Sequence, residues 1–139
     1  KILFDLEEDE AIICESEIPN VRFWSVQMAD PFFQTVDYAY HQSSLNGGQV
    51  RLDSDGKARI VIARTDPGVP NWIDTVDNRT GLFQWRWYVA DRHPMPVAKK
   101  VKLADLRNHL PADTPVVTPE QRRDIIDRRA RAVRRRFGI

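Results

Sequence analysis

The sequence predicts a mainly β fold, a sandwich or barrel of short strands followed by short helices at the C-terminal end. Three observations carry this. Segments rich in β-branched and aromatic residues recur between Val21 and Val89. Glycine-bearing turns, Asn46-Gly47-Gly48 and Asp55-Gly56, punctuate them at close spacing. Helical start and stop signals gather mainly in the last third of the chain.

Val21 to Met28 is the first strand, stopped by Asp30-Pro31. Phe32 to Tyr40 is open between helix and extended structure: Asp30-Pro31 suits a helix cap, with Phe32, Val36 and Tyr40 on one stripe. The two glycine turns leave a short strand, Gln49 to Asp53, between them. Arg59 to Arg64 is apolar on both faces, Ile60 and Ile62 on one and Val61 and Ala63 on the other, as a central strand is. Leu82 to Val89 alternates, with Phe83, Trp85, Trp87 and Val89 toward the core and Gln84, Arg86 and Tyr88 opposite. Lys99-Lys100-Val101-Lys102 reads as a connector or an edge strand, where lysines discourage edge-to-edge pairing. Ala104 to Leu110 is a short helix ended by Pro111. Thr118-Pro119-Glu120-Gln121 then opens a longer one with an N-cap, a first-turn proline and a capping-box glutamine. Its apolar stripe is Ile126, Ala130, Val133 and Phe137, and Asp124–Arg128 and Asp127–Arg131 are spaced as helix pairs. The organisation expected is a sandwich over residues 1–97, a connector over 98–117 and a basic amphipathic helix over 118–139.

The chain has 139 residues, 42% hydrophobic and 29% charged, which is one ordinary globular domain able to bury a core. No apolar run approaches the roughly 20 residues that span a bilayer. Lys1-Ile2-Leu3-Phe4 leads into the acidic run Glu7-Glu8-Asp9-Glu10, unlike a secretory leader. With Lys1 in place of an initiator Met, the chain is expected to be the C-terminal piece of a longer protein. The single cysteine, Cys14, excludes an internal disulfide and reads as a small buried hydrophobe; it suits a reducing, cytoplasmic compartment. Net charge is +1, but residues 118–139 hold eight Arg against three acids. That segment is therefore +5, leaving the other 117 residues at −4: an acidic body with a basic arm.

The chemistry-bearing residues cluster around one loop. Asp66-Pro67-Gly68-Val69-Pro70-Asn71-Trp72-Ile73-Asp74 is stiffened by two prolines and a glycine, so it holds Asn71, Trp72 and Asp74 at low entropic cost. These offer a donor–acceptor pair, a stacking face and a carboxylate, and Arg86 on the following strand is suited to clamping an anion. The structural alternative is that Trp72 plugs the sandwich while Asn71 and Asp74 satisfy turns. Tyr38, Tyr40, His41, Gln42 and Asn46 form a second polar-aromatic group, suited either to a sugar or to plain solvation. His41, His93 and His109 lack metal-ligand spacing, no serine sits in a nucleophile elbow, and no cofactor or metal is implied. The arginines of the last helix, Arg128, Arg131, Arg134, Arg135 and Arg136, suit phosphates, but the acids and apolar stripe among them favour a helix that docks on a parent domain or a second subunit.

Trp24-Ser25-Val26, Ser44-Leu45-Asn46, Asp55-Gly56, Asp66-Pro67-Gly68, Asn71-Trp72 and the closing Trp85-Arg86-Trp87-Tyr88 together resemble the bacterial domain of unknown function 1214, over roughly residues 21–97. The resemblance implies a jelly-roll-like antiparallel β-sandwich at the end of a longer chain, and no established activity. Two functions are therefore expected. One is a C-terminal module that binds a small polar ligand, at Asn71, Trp72, Asp74, Arg86, Asn46 and Tyr38, or makes domain or subunit contacts. The other is completion of the active site of a carbohydrate- or small-carboxylate-processing enzyme.

Overall fold

Two four-stranded sheets pack face to face in the computed structural model, which describes residues 1–139. The strands are β1 (Ile2–Asp5), β2 (Glu10–Glu17), β3 (Val21–Ala29), β4 (Ser44–Asn46), β5 (Lys57–Ala63), β6 (Trp72–Asp74), β7 (Thr80–Ala90) and β8 (Val97–Lys102). A 3-10 helix, Leu103–His109, and helix α1, Pro119–Phe137, follow. The front sheet runs β1-β7-β3-β4 and the back sheet β6-β5-β2-β8. All pairs are antiparallel except β5 with β6, which is parallel, a departure from the fully antiparallel expectation. The lysine segment is an edge strand: β8 pairs with β2, so the sandwich runs past residue 97 to Lys102.

Strand alternation builds two cores. Trp24, Val26, Met28, Leu45 and Phe83 point inward from the front sheet onto Ile12, Cys14, Ile60, Ile62 and Ile73 of the back sheet. The opposite face of the back sheet is also apolar, with Ala11, Ile13, Val61, Ala63, Trp72 and Val101, and it is roofed by Val69 and by Leu103, Leu106 and Leu110. That double burial is why β5 is apolar on both sides. The outer face of the front sheet is covered only in part: Gln84 is buried there, while Phe23 and Tyr88 stand exposed.

Three local expectations change. Phe32 to Tyr40 is neither helix nor strand: the Asp30 carboxylate accepts from the backbone N–H groups of Phe32 and Gln34, and Phe33 takes a φ of 67°. This local turn competes with a helical ladder. Gln49 to Asp53 forms no strand, because the Asn71 side chain takes both the N–H and the C=O of Arg51. Gly47 does not serve a left-handed turn; a Cβ there would lie 2.4 Å from Trp24 Nε1, so the glycine makes room for the indole. Gly56, by contrast, does take a φ of 80°.

An ion network crosses one end of the back sheet. Arg59 bonds Glu15, Asp53 and Asp55, and Lys57 bonds Glu15. The Arg59 guanidinium, with the Lys57 backbone N–H, holds the Asp55 carboxyl down from 3.8 to about 2, and the Lys57 ammonium holds Glu15 below its ordinary value. Both carboxyls are thus more acidic folded than unfolded. Their contribution is complete above the ordinary carboxyl range of about 4 and is lost as pH falls toward 2. The thermal midpoint should therefore decline over this window, and Arg59→Gln should flatten the decline. An equally steep decline in the variant would remove the network from the account.

Candidate functional site

The loop from Asp66 to Asp74 was the first candidate, and its polar groups all find partners within the chain. The Asp66 carboxylate accepts from Gly68 N–H, closing a turn in which Gly68 has a φ of 68°. Asn71, 7% exposed, donates to the carbonyls of Arg51 and Arg59 and accepts from Arg51 N–H, tying three segments together. Trp72 packs in the back core with its indole N–H on Ala63 O. Asp74 accepts from Val76 N–H and sits 2.7 Å from His41 Nδ1.

The same loop receives the last helix. The helix starts as its sequence signals: Thr118 Oγ1 accepts from Gln121 N–H while Gln121 Oε1 accepts from Thr118 N–H, and it ends at Gly138 in the left-handed region. Arg122, one turn in, is 6% exposed. Its guanidinium grips Asp66 through two nitrogens (2.9 and 3.2 Å), donates to Gln42 Oε1 and Val69 O, and lies 5.1 Å from the Trp72 ring. Gln42 in turn donates to Pro70 O and Trp72 O. Farther along, Arg129 donates to Tyr38 O and Ser44 Oγ, and Arg134 meets the Tyr40 hydroxyl. Burial pushes the Arg129 guanidinium below its ordinary value. The helix therefore docks on its own domain, by arginines more than by its stripe: Ala130 is buried, but Phe137 is 57% exposed. The expected Asp124–Arg128 and Asp127–Arg131 pairs are not among the ion pairs formed.

The remaining candidates lie apart. Arg86 stands exposed on the outer face of β7, its guanidinium on Gln84 Oε1, in the other sheet from Trp72. Asn46 Oδ1 accepts from Gly48 N–H, and Tyr38 is 39% exposed, joined to the helix through its carbonyl. Asp66, Asn71, Trp72 and Asp74 thus surround one buttress under α1, with Tyr38 beside it, while Arg86 does not join them. No three of His, Cys, Asp or Glu come together as a metal site would need.

The two side seams of the sandwich differ. On the β4–β6 side, Gln42, the His41–Asp74 pair and α1 sew the sheets together. On the β1–β8 side a cleft of about 210 Å³ remains between them. Lys1, Ile2, Cys14, Phe83, Trp85, Trp87 and the His93–Pro96 segment line it. Trp85 stacks on Trp24 at 5.4 Å and 10°, meets Phe83 edge-on at 6.4 Å, and has Trp87 at 5.6 Å. Trp87 donates to Pro94 O, whereas Trp85 Nε1 is buried with no acceptor. Burial pushes the Cys14 thiol up to about 12.

Sequence reasoning missed this cleft and the role of Arg122. Strand alternation places the tryptophans in the core, and nothing in it says that a core stops short of one edge. His93-Pro94-Met95-Pro96 was the available signal, since two prolines stiffen a rim segment.

Comparison with known proteins bears on the family. The model of the family described as protein of unknown function DUF1214 matches residues 6–92. An uncharacterised protein from Burkholderia cenocepacia, solved by crystallography, is similar at 34% identity and a TM-score of 0.71, over 73% of this chain and 29% of its own. The VPA0106 protein from Vibrio parahaemolyticus shares the fold at 23% identity and a TM-score of 0.57, over 71% of this chain and 29% of its own. The chain thus spans less than a third of either solved relative. No curated protein matches it. With the family model covering well over half of its length, the chain belongs to the DUF1214 family of proteins of unknown function.

Proposed function

We propose that this domain works by contact, as a jelly-roll-like module within a larger bacterial protein, and that it meets another folded domain or subunit through the outer face of the front sheet. One observation carries the reading: the back sheet is roofed by its own chain, while the front sheet presents Leu3, Phe23 and Tyr88 at 79%, 50% and 60% exposure. Phe23 and Tyr88 are directly paired across β3 and β7, so they form one patch and not scattered surface residues. The length of the solved relatives supports the reading, because each has ample further chain to supply a partner.

A small polar ligand at Asn71, Trp72 and Asp74, or an active site completed there, is favoured less. A binding site needs groups left free to converge on a ligand, and those side chains bond to the chain itself. Left without its partner, the patch should be covered by a second copy. Sedimentation of the chain alone should show reversible self-association that Phe23→Glu with Tyr88→Glu abolishes. A monomer up to about 1 mM, where even weak contacts register, would overturn the proposal.

A further inference from the structure

Four arginines of the chain are buried or half-buried, and three of them, Arg59, Arg64 and Arg122, hold a carboxylate. The fourth, Arg129, holds none. Two of its nitrogens donate to neutral oxygens, Nε to Tyr38 O and Nη2 to Ser44 Oγ. Its Nη1 makes no bond within the chain and is not sealed in, so it still reaches solvent. Asp37 acts on the guanidinium through its charge alone, without a bond. A cation drawn partway out of water with no anion in contact is an uncommon arrangement, because an ion pair normally offsets the lost hydration.

The same arginine lines a groove of about 380 Å³ along one flank of α1, within the roughly 300–1,000 Å³ of small-molecule sites. Ile125, Arg128, Arg129 and Ala132 recur there at i, i+3, i+4 and i+7, the spacing that puts four residues on one side of a helix. The body supplies Leu45, Gln49 and Pro70, together with Gln42, whose amide is already bonded to Arg122, Pro70 O and Trp72 O. The free side-chain polar groups are all donors. They are Arg129 Nη1, the exposed Arg128 guanidinium and the amide nitrogen of Gln49, which uses only its Oε1, on Asn46 N–H. No carboxylate lines the groove. Leu45, Pro70, Ile125 and Ala132 make the rest of it apolar. Donors without acceptors select an anion, and the apolar residues beside them select a carbon body attached to it.

We propose that the groove between α1 and the β4–β6 side of the body binds a small organic oxyanion, a carboxylate or phosphate on a compact apolar body, whose oxygens accept from Arg128 and Arg129. The groove shares no residue with the Phe23–Tyr88 patch assigned to domain contact, so either proposal can fail alone.

Benzoate and phenyl phosphate are the probes, with benzyl alcohol as the ring without the charge. Calorimetric titration of the chain at low ionic strength, where charges are least screened, should show saturable one-to-one binding of the anions. The tighter of the two should have a Kd of about 0.1–1 mM, the range expected for so few atoms, and it names the headgroup. Benzyl alcohol should bind at least about tenfold more weakly, the worth of one charge-assisted hydrogen bond. The Arg129 Nε–H resonance should move with the anions and stay in place with the alcohol. Arg128→Gln removes an exposed cation that bonds to nothing in the chain, and it should weaken the anions about five- to tenfold at an unchanged thermal midpoint. Ala132→Glu sets a carboxylate into the groove one turn from Arg128 and should weaken them at least about tenfold. If Ala132→Glu fails to fold, Arg128→Gln decides alone. Absence of saturation by both anions, benzyl alcohol binding as tightly as they do, or affinities unmoved in the variants that fold would each overturn the proposal.

Discussion

Arg122→Met should lower stability by about 3 kcal/mol and release the last helix from the domain. The variant keeps most of the side chain's length and removes its charge, so the loss comes from what the guanidinium leaves behind. Asp66 loses a two-nitrogen partner, Gln42 Oε1 and Val69 O lose a donor, and Trp72 loses a cation over its ring. Breaking one side of a buried ion pair costs about 3–5 kcal/mol, and the lower end applies because the Asp66 side chain keeps 30% of its exposure and is partly rehydrated. Urea unfolding gives the magnitude, and amide exchange along α1 reports the release. Adding Asp66→Asn should recover part of the loss, because it removes the stranded charge. A loss below about 1 kcal/mol, the range of a surface pair, would show that the helix is held by its stripe instead.

Gly81→Ala should be comparably damaging for a steric reason. A Cβ there would lie 2.5 Å from Ala29 O and 2.7 Å from Phe4 Cζ. The oxygen belongs to β3, and Phe4 is 4% exposed in the core, so neither has room to retreat. Overpacking of this kind costs about 1–3 kcal/mol, and the upper end applies where backbone is the obstacle. Gly56→Ala is the control: its Cβ meets nothing within 4 Å, and only the φ of 80° is penalised, for about 1 kcal/mol. Equal losses at the two positions would remove the close approach of β3 and β7 from the account.

The sequence made legible whatever depended on near neighbours. The cap and capping box of α1, the two-faced burial of β5 and the alternation of β7 are all written within a few residues. β7 parts from its pattern at Val89, which takes a φ of 53° and is exposed, and at Gln84, which is buried. What sequence reading could not settle was the loop before β6, because its partners are distant. Asn71 bonds to Arg51, Asp74 to His41 and Asp66 to Arg122, across 20, 33 and 56 positions. A stiff loop rich in amides, carboxylates and tryptophan looks the same whether it is made to receive a ligand or a helix. The absent strand at Gln49 to Asp53 has the same origin, since its hydrogen bonds go to a side chain that no local pattern announces.

The arginine grips on the body have one consequence of their own. Arg107 donates to the carbonyls of Thr114, Gly68 and Pro115, Arg122 to that of Val69, and Arg129 to that of Tyr38. A peptide oxygen is supplied by any residue and is not titrated by acid. As far as the grip is concerned, those five positions can drift in side chain while the arm stays moored, whereas each arginine is irreplaceable by lysine, which lacks the fork. Apart from its bonds to the side chains of Asp66, Gln42, Ser44 and Tyr40, the arm is thus addressed to a backbone contour.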